Sequence, residues 1–217
     1  MLKKTLKWIW YRLAQWGCRV FCILWFGIRV YGRENVPEKG AFLLVSNHQS
    51  YLDPILCGVA LRRRLHFLAR DSLFANKFFA LLITSLNAIP VKPDKADVSA
   101  MKEVINRLKE GRGVCLYPEA TRTYDGRIAT FKPGFGLLCR RGEAAVVPMV
   151  IDGAFECWPR YKKMFSRGWV TVCYGKAIPA AQVKEMGDKK LAETVTETLR
   201  QMQTEGRVKY GKEPYDY

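Results

Sequence analysis

Short, almost uninterrupted apolar runs recur along this chain, at residues 41–45, 65–69, 113–117, 144–151 and 170–175. They limit what it can fold into more than any other feature. Each is bounded by glycine or polar residues, and runs of this length and composition read as buried strands. Shorter strands are expected at 28–31 and 87–92. Between them lie helical patterns at 54–61, 74–86, 97–109, 131–139 and 191–203. In the third of these, Val98, Met101, Ile105 and Leu108 share one face, Asp97 is placed to cap the start and Gly111 to stop the end. Arg62, Arg63 and Arg64 follow the first, where cations suit the negative end of a helix dipole. The alternation predicts an α/β fold, a central mostly parallel or mixed sheet flanked by helices. At 217 residues the chain suits one domain with its own core, placed here at 29–204, with 205–217 as a polar tail.

In such sheets, ligands gather beyond the carboxyl ends of the strands. His48 and Asp53, Arg70, Lys92, and Glu119 with Arg122 all lie at or just past expected strand ends. If the sheet is mainly parallel, they converge on one rim. The densest group is residues 47–53, Asn-His-Gln-Ser-Tyr-Leu-Asp. Asp53 precedes Pro54, so it is expected to cap a helix that has proline at its first position. The intervening turn can bring its carboxylate back to the imidazole of His48. A neutral imidazole held by a carboxylate can take a proton from a hydroxyl that attacks something else. By itself the spacing also fits a capped helix beside an unrelated histidine. His66, the other histidine, falls inside an expected strand and receives no role.

The formal net charge of +16 points to polyanionic partners: nucleic acid, anionic lipid or phosphorylated substrates. Where the charge lies favours lipid. Residues 1–28 form an amphipathic helical pattern. At about 100° per residue, Lys3, Lys4, Lys7, Arg12, Arg19 and Arg29 fall on one half, and Leu2, Leu6, Ile9, Leu13, Trp16, Val20 and Leu24 on the other. Trp8, Trp10, Trp16 and Trp25 add an aromatic belt. Arginines interrupt the apolar residues well before the ~20 that a spanning helix needs. A helix lying in the headgroup layer is the expectation, and docking on the domain's own core is the alternative. A mixture of aromatic and basic residues returns at 155–169, which suits a loop pressed on a lipid surface and equally a nucleic-acid patch. A peripheral or monotopic protein on the cytoplasmic face of an anionic membrane is expected, with no nucleic-acid partner. Seven cysteines without a CxxC pair read as reduced thiols, and two histidines without a Cys/His cluster leave no expected metal site.

Several stretches in order resemble one family, the glycerolipid acyltransferases that acylate lysophosphatidic acid. Residues 47–53 match its Asn-His-x-x-x-x-Asp motif. Pro118, Glu119, Ala120, Thr121 and Arg122 match its Pro-Glu-Gly-Thr-Arg motif, followed by Phe131, Lys132 and Gly134. Residues 89–91 and 147–150 match two further motifs. The resemblance covers about residues 30–180. It implies transfer of a fatty acyl group from acyl-CoA or acyl carrier protein to the lysolipid's sn-2 hydroxyl, giving phosphatidic acid, with no cofactor. It implies His48 as general base, Asp53 as its orienter, and an acceptor phosphate site drawn from Arg70, Glu119, Thr121 and Arg122, with Lys92 or Lys95 nearby. Two residues depart from the pattern. Ala120 replaces glycine, so the backbone there is expected to be less free to take positive φ. Pro93 stands where arginine is usual. Either departure fits another lysolipid acceptor, and a basic, membrane-peripheral protein without activity is the reading from outside the enzyme class.

Overall fold

The structure is a computed structural model that describes residues 2–92 and 97–217, with side chains from Thr5 onward in the first helix. Lys95 and Pro93 lie outside the described residues. In chain order the elements are α1 (Leu2–Phe26), β1 (Arg29–Tyr31), β2 (Phe42–Ser46), α2 (Asp53–Val59), β3 (Leu65–Arg70), α3 (Lys77–Ser85), β4 (Ala88–Val91) and α4 (Val98–Lys109). There follow β5 (Gly113–Leu116), α5 (Gly134–Gly142), β6 (Ala145–Asp152), α6 (Ala154–Cys157), β7 (Thr171–Tyr174), α7 (Ala180–Met186) and α8 (Asp188–Lys209).

The strands form one seven-stranded sheet in the order β1-β7-β6-β2-β5-β3-β4. From β6 to β4 all neighbours are parallel, while β7 runs antiparallel to β6 and pairs in parallel with β1. The carboxyl ends of β2 to β6 therefore share one rim. β2 lies between β5 and β6 and is buried along its whole length, which is why its sequence does not alternate. Its side chains still divide by face. Phe42 and Leu44 join Val147, Met149 and Ile151 in the layer under α1 and α2. Leu43 and Val45 join Val146, Val150, Leu108, Leu138 and Val195 under α4, α5 and α8.

α1 leaves outward the apolar stripe expected to meet lipid and docks on the domain by a second stripe. Tyr11, Cys18, Cys22 and Phe26 form its inner stripe, with Cys22 and Phe26 fully buried. Gln15 Nε2 donates to the carbonyls of Gly58 and Leu61, and Arg12 reaches Leu61 and Arg62 carbonyls, so α1 caps the end of α2. Arg12 thus faces the domain. Within the arginine triplet that follows α2, Arg63 donates to the carbonyls of Pro37 at 2.9 Å and Gly111 at 2.6 Å. The outer face of α1 carries Leu6, Leu13, Trp16 and Leu24, each 60–73% exposed. Trp10 Nε1 donates to Ser85 Oγ at 2.9 Å, joining α1 to the end of α3, whose Phe78 and Leu81 are also exposed. No helix among the described residues is long and apolar enough to cross a membrane.

α1 stops at Phe26 because Gly27 turns the chain at φ +45°, where a Cβ would run into the ring of Trp169. Arg29 consequently leaves the helix pattern and stacks in β1 over Trp169 and Tyr210, 4.6 and 4.3 Å from the ring centroids. In α4 the buried residues are Ala100, Val104 and Leu108, with Val98 exposed. Asp97 does cap α4, accepting from Ala100 N at 3.0 Å. The helix expected at 74–86 starts at Lys77, after a 3₁₀ turn at Asp71–Phe74. The last helix runs to Lys209, and the expected tail folds back. Lys212 Nζ donates to Asp152 Oδ2 at 3.1 Å, beside Arg207 on Oδ1 at 2.8 Å. Tyr217 pairs with Gln203 through its hydroxyl, which also accepts from Ile128 N.

Candidate active site

His48 leaves β2 on the shared rim and Asp53 opens α2. Asp53 does not cap the helix as its sequence position suggests. Its carboxylate turns back into the loop, where Oδ2 accepts from Gln49 N (2.6 Å), Ser50 N (2.8 Å) and His48 Nδ1 (2.7 Å). Asp53 is fully buried, and its Oδ1 has no hydrogen-bond partner among the described residues. A buried charge needs such compensation; three donors on one oxygen and the positive end of α2 provide it. With Nδ1 held as the donor, Nε2 is left as the basic nitrogen. No hydrogen bond among the described residues engages Nε2, and the side chain is 20% exposed. Tyr117, just past β5, lies parallel under the imidazole, with centroids 4.2 Å apart.

Neighbouring side chains fix the loop. Asn47 bridges β2 to β6 with a reciprocal pair, Nδ2 to Ile151 O and Ile151 N to Oδ1, both 2.8 Å. Gln49 Nε2 donates to Gly126 O at 2.9 Å, and Ser50 Oγ to Trp158 O at 2.7 Å. Thr123 N donates to His48 O at 2.8 Å.

Glu119, expected against a phosphate, is turned to backbone instead. Oε1 accepts from His48 N at 2.8 Å and Oε2 from Ala129 N at 3.4 Å, with 8% of the residue exposed. Burial pushes its carboxyl up to about 7, against the lowering effect of the two N–H donors. Its place is under the histidine, holding the main chain, where an anion would be repelled. Ala120 adopts φ +59°, so it occupies the left-handed conformation that a residue with a Cβ is less free to take.

Arg122 lies over the Tyr51 ring, 3.5 Å from its centroid, and Thr121 is exposed beside it. Arg160 donates from Nη1 to Thr121 Oγ1 (3.1 Å) and Arg122 O (3.0 Å). Arg70 ends β3 and Lys92 follows β4, both exposed on the same rim. The rim therefore unites His48, Asp53, Glu119, Thr121 and Arg122 through direct contacts with their loops, and holds Arg70 and Lys92 at neighbouring strand ends. His66 lies in β3; burial, then Arg107 and Arg112, push its imidazole down to about 4.

Sequence reasoning missed Asn47, Tyr117 and Arg160 as site residues. Asn47 opens one recognised motif and Tyr117 adjoins another, and that was the available signal. Arg160 carried none, because it is distant in the chain.

Taken together, a carboxylate-held imidazole with a free basic nitrogen, a clamped loop and cations along the rim suit proton removal from a hydroxyl beside an anionic group. The family model described as "Acyltransferase" matches residues 27–152. The chain is 28% identical over 192 residues to a 1-acyl-sn-glycerol-3-phosphate acyltransferase of Bacillus subtilis, covering 88% of this chain and 94% of that protein. It is 30% identical over 147 residues to a chloroplastic 1-acyl-sn-glycerol-3-phosphate acyltransferase of Arabidopsis thaliana, of which it spans 41%. The crystal structure of the lysophosphatidic acid acyltransferase PlsC from Thermotoga maritima superposes with a TM-score of 0.80 at 25% identity, covering 91% of this chain and 79% of that one.

Proposed function

The chain belongs to the acyltransferase family, and from that premise we propose that it acylates the sn-2 hydroxyl of lysophosphatidic acid, giving phosphatidic acid. The observation that carries the reading is the 2.7 Å contact between His48 Nδ1 and Asp53 Oδ2, which leaves Nε2 as the base. The fatty acyl donor is a thioester of coenzyme A or acyl carrier protein. The acceptor hydroxyl gives its proton to His48 Nε2 as its oxygen attacks the thioester carbonyl. The tetrahedral intermediate then collapses, the C–S bond breaks, and the thiolate recovers the proton from Nε2. Asp53 fixes the tautomer and stabilises the imidazolium. A base so placed contributes about 10²–10⁴-fold. Glu119 acts by holding the His48 main chain. Arg122 binds the acceptor phosphate, an anion suited to a guanidinium fork, with Thr121 beside it and Arg70 and Lys92 drawing the anion to the rim.

Residues 1–28 are the membrane-associating segment of this reading and 29–204 the catalytic unit. The support is the outward apolar face of α1, continued by Phe78 and Leu81 of α3, which suits the headgroup layer of an anionic, cytoplasmic membrane face. The reaction is tested by following thiol release from an acyl thioester with lysophosphatidic acid and identifying the lipid formed. Wild type should release thiol and form phosphatidic acid, and His48→Ala and Asp53→Asn should each abolish both while remaining folded. Turnover retained in both variants would refute the mechanism.

A further inference from the structure

We infer that Arg160, supplied by the loop after α6, is a second guanidinium of the acceptor-headgroup site, where it and Arg122 bind a phosphate monoester from two sides. The inference rests on the acceptor assignment above and adds a binding residue to it.

Three observations lead there. First, Arg160 is built into the rim. Its Nη1 holds both Thr121 Oγ1 and Arg122 O, its guanidinium lies 4.1 Å from the Tyr124 ring centroid, and its own carbonyl accepts from the Tyr51 hydroxyl at 3.4 Å. Second, Tyr51 joins the two arginines. Its ring carries Arg122 at 3.5 Å, its hydroxyl reaches the Arg160 main chain, and it stands three residues after His48. Trp158 packs against that ring at 5.1 Å and accepts from Ser50 Oγ, so the Arg160 loop is tied to the histidine loop. Third, no carboxylate among the described residues pairs with either arginine; the nearby Asp125 is paired with Arg127. Two cations held on one patch by aromatic rings and carbonyls, without an acid between them, form a site that a doubly charged anion neutralises. One Nη1 takes part in the contacts within the protein, which leaves the rest of the Arg160 fork for phosphate oxygens.

Arg160 also positions the Thr121–Arg122 backbone, so the test must separate charge from positioning. Arg160→Gln keeps an N–H donor near Thr121 Oγ1 and Arg122 O while removing the charge. Steady-state turnover is measured for wild type, Arg160→Gln, Arg160→Ala and Arg160→Lys. The acceptors are lysophosphatidic acid and monoacylglycerol, the same lipid without its phosphate. The inference expects KM for lysophosphatidic acid to rise roughly tenfold or more in both Gln and Ala, with KM for the thioester unchanged. Preference over monoacylglycerol should shrink by the same factor, and Lys should recover part of the loss. Wild-type KM in Arg160→Gln would reduce the residue to a positioning role and overturn the inference, as would an equal loss with both acceptors. If wild type acylates a different phosphate-bearing lysolipid instead, the acceptor assignment falls and Arg160 is judged by KM for that lipid. If wild type prefers acceptors without phosphate, both fall.

Discussion

α8 and α1 are the two longest helices described, 22 and 25 residues, and each lies against one face of the same sheet. α8 buries Leu191, Val195 and Leu199 completely and turns Lys189, Glu193 and Glu197 outward or to the margin. α1 also buries an inner stripe, ending in Cys22 and Phe26, but turns Leu6, Leu13, Trp16 and Leu24 outward. One layer is closed by the protein alone. The other has its core closed and still shows apolar surface. The difference teaches that amphipathicity does not say which apolar stripe a helix turns inward.

The largest effect expected is on α8. Leu199→Asp places an unpaired charge in the closed layer and should unfold the domain at ambient temperature, a loss of about 4 kcal/mol or more, seen as loss of the cooperative thermal transition. A folded Leu199→Asp protein would break the comparison. Next is the inner stripe of α1. Phe26→Ala should cost about 3–5 kcal/mol by chemical denaturation, equating the inner stripes of the two helices. It follows that deleting residues 1–28 removes core as well as surface, so that truncation confounds a test of membrane binding.

The rim between the layers supplies a third test. The folded Glu119 carboxyl, raised from 4.5 to about 7 by burial, holds its proton more tightly than the unfolded one does. Stability from this group is fully present below pH 4.5 and is lost as pH rises from there to about 7, by on the order of 3 kcal/mol. Denaturation midpoints at pH 5 and 8 should show this fall in wild type and a flatter profile in Glu119→Gln. A fourth and smaller effect belongs to Ala120. At φ +59° a side chain is strained, and Ala120→Gly should stabilise by about 1 kcal/mol. The smallest stability change is expected on the outer face of α1. Leu13→Asp should move stability by no more than about 0.5 kcal/mol while abolishing cosedimentation with anionic vesicles. Unfolding by Leu13→Asp, or undiminished vesicle binding, would place the outer face in the same class as the inner one.

The fold was readable because a buried central strand must be apolar on both faces. β2, β3, β5, β6 and β7 stand close to the runs that predicted them, and the shared rim follows from parallel pairing. The spacing of His48 and Asp53 allowed their pairing, but only the family resemblance singled it out, and the bond they make is not helix capping. Glu119 was recognised as a site residue, but its direction was not, since a carboxylate beside a strand end can face a ligand or a backbone N–H. Arg160 was read only as one base in the mixed aromatic and basic stretch 155–169, because its partners, Thr121 and Arg122, are nearly forty positions away.

The amino-acid order by itself determined the α/β alternation and which polar residues stand at strand ends, and it carried the motifs by which the family was recognised. The first two depend on periodicity and on spacing along the chain, which are local properties. Tertiary structure alone decided which stripe of α1 is core, that Glu119 braces the histidine loop, that residues 205–217 fold back, and that Arg160 joins Arg122. Each of those depends on which distant group satisfies a hydrogen bond or covers an apolar surface, and that is settled only when the layers pack.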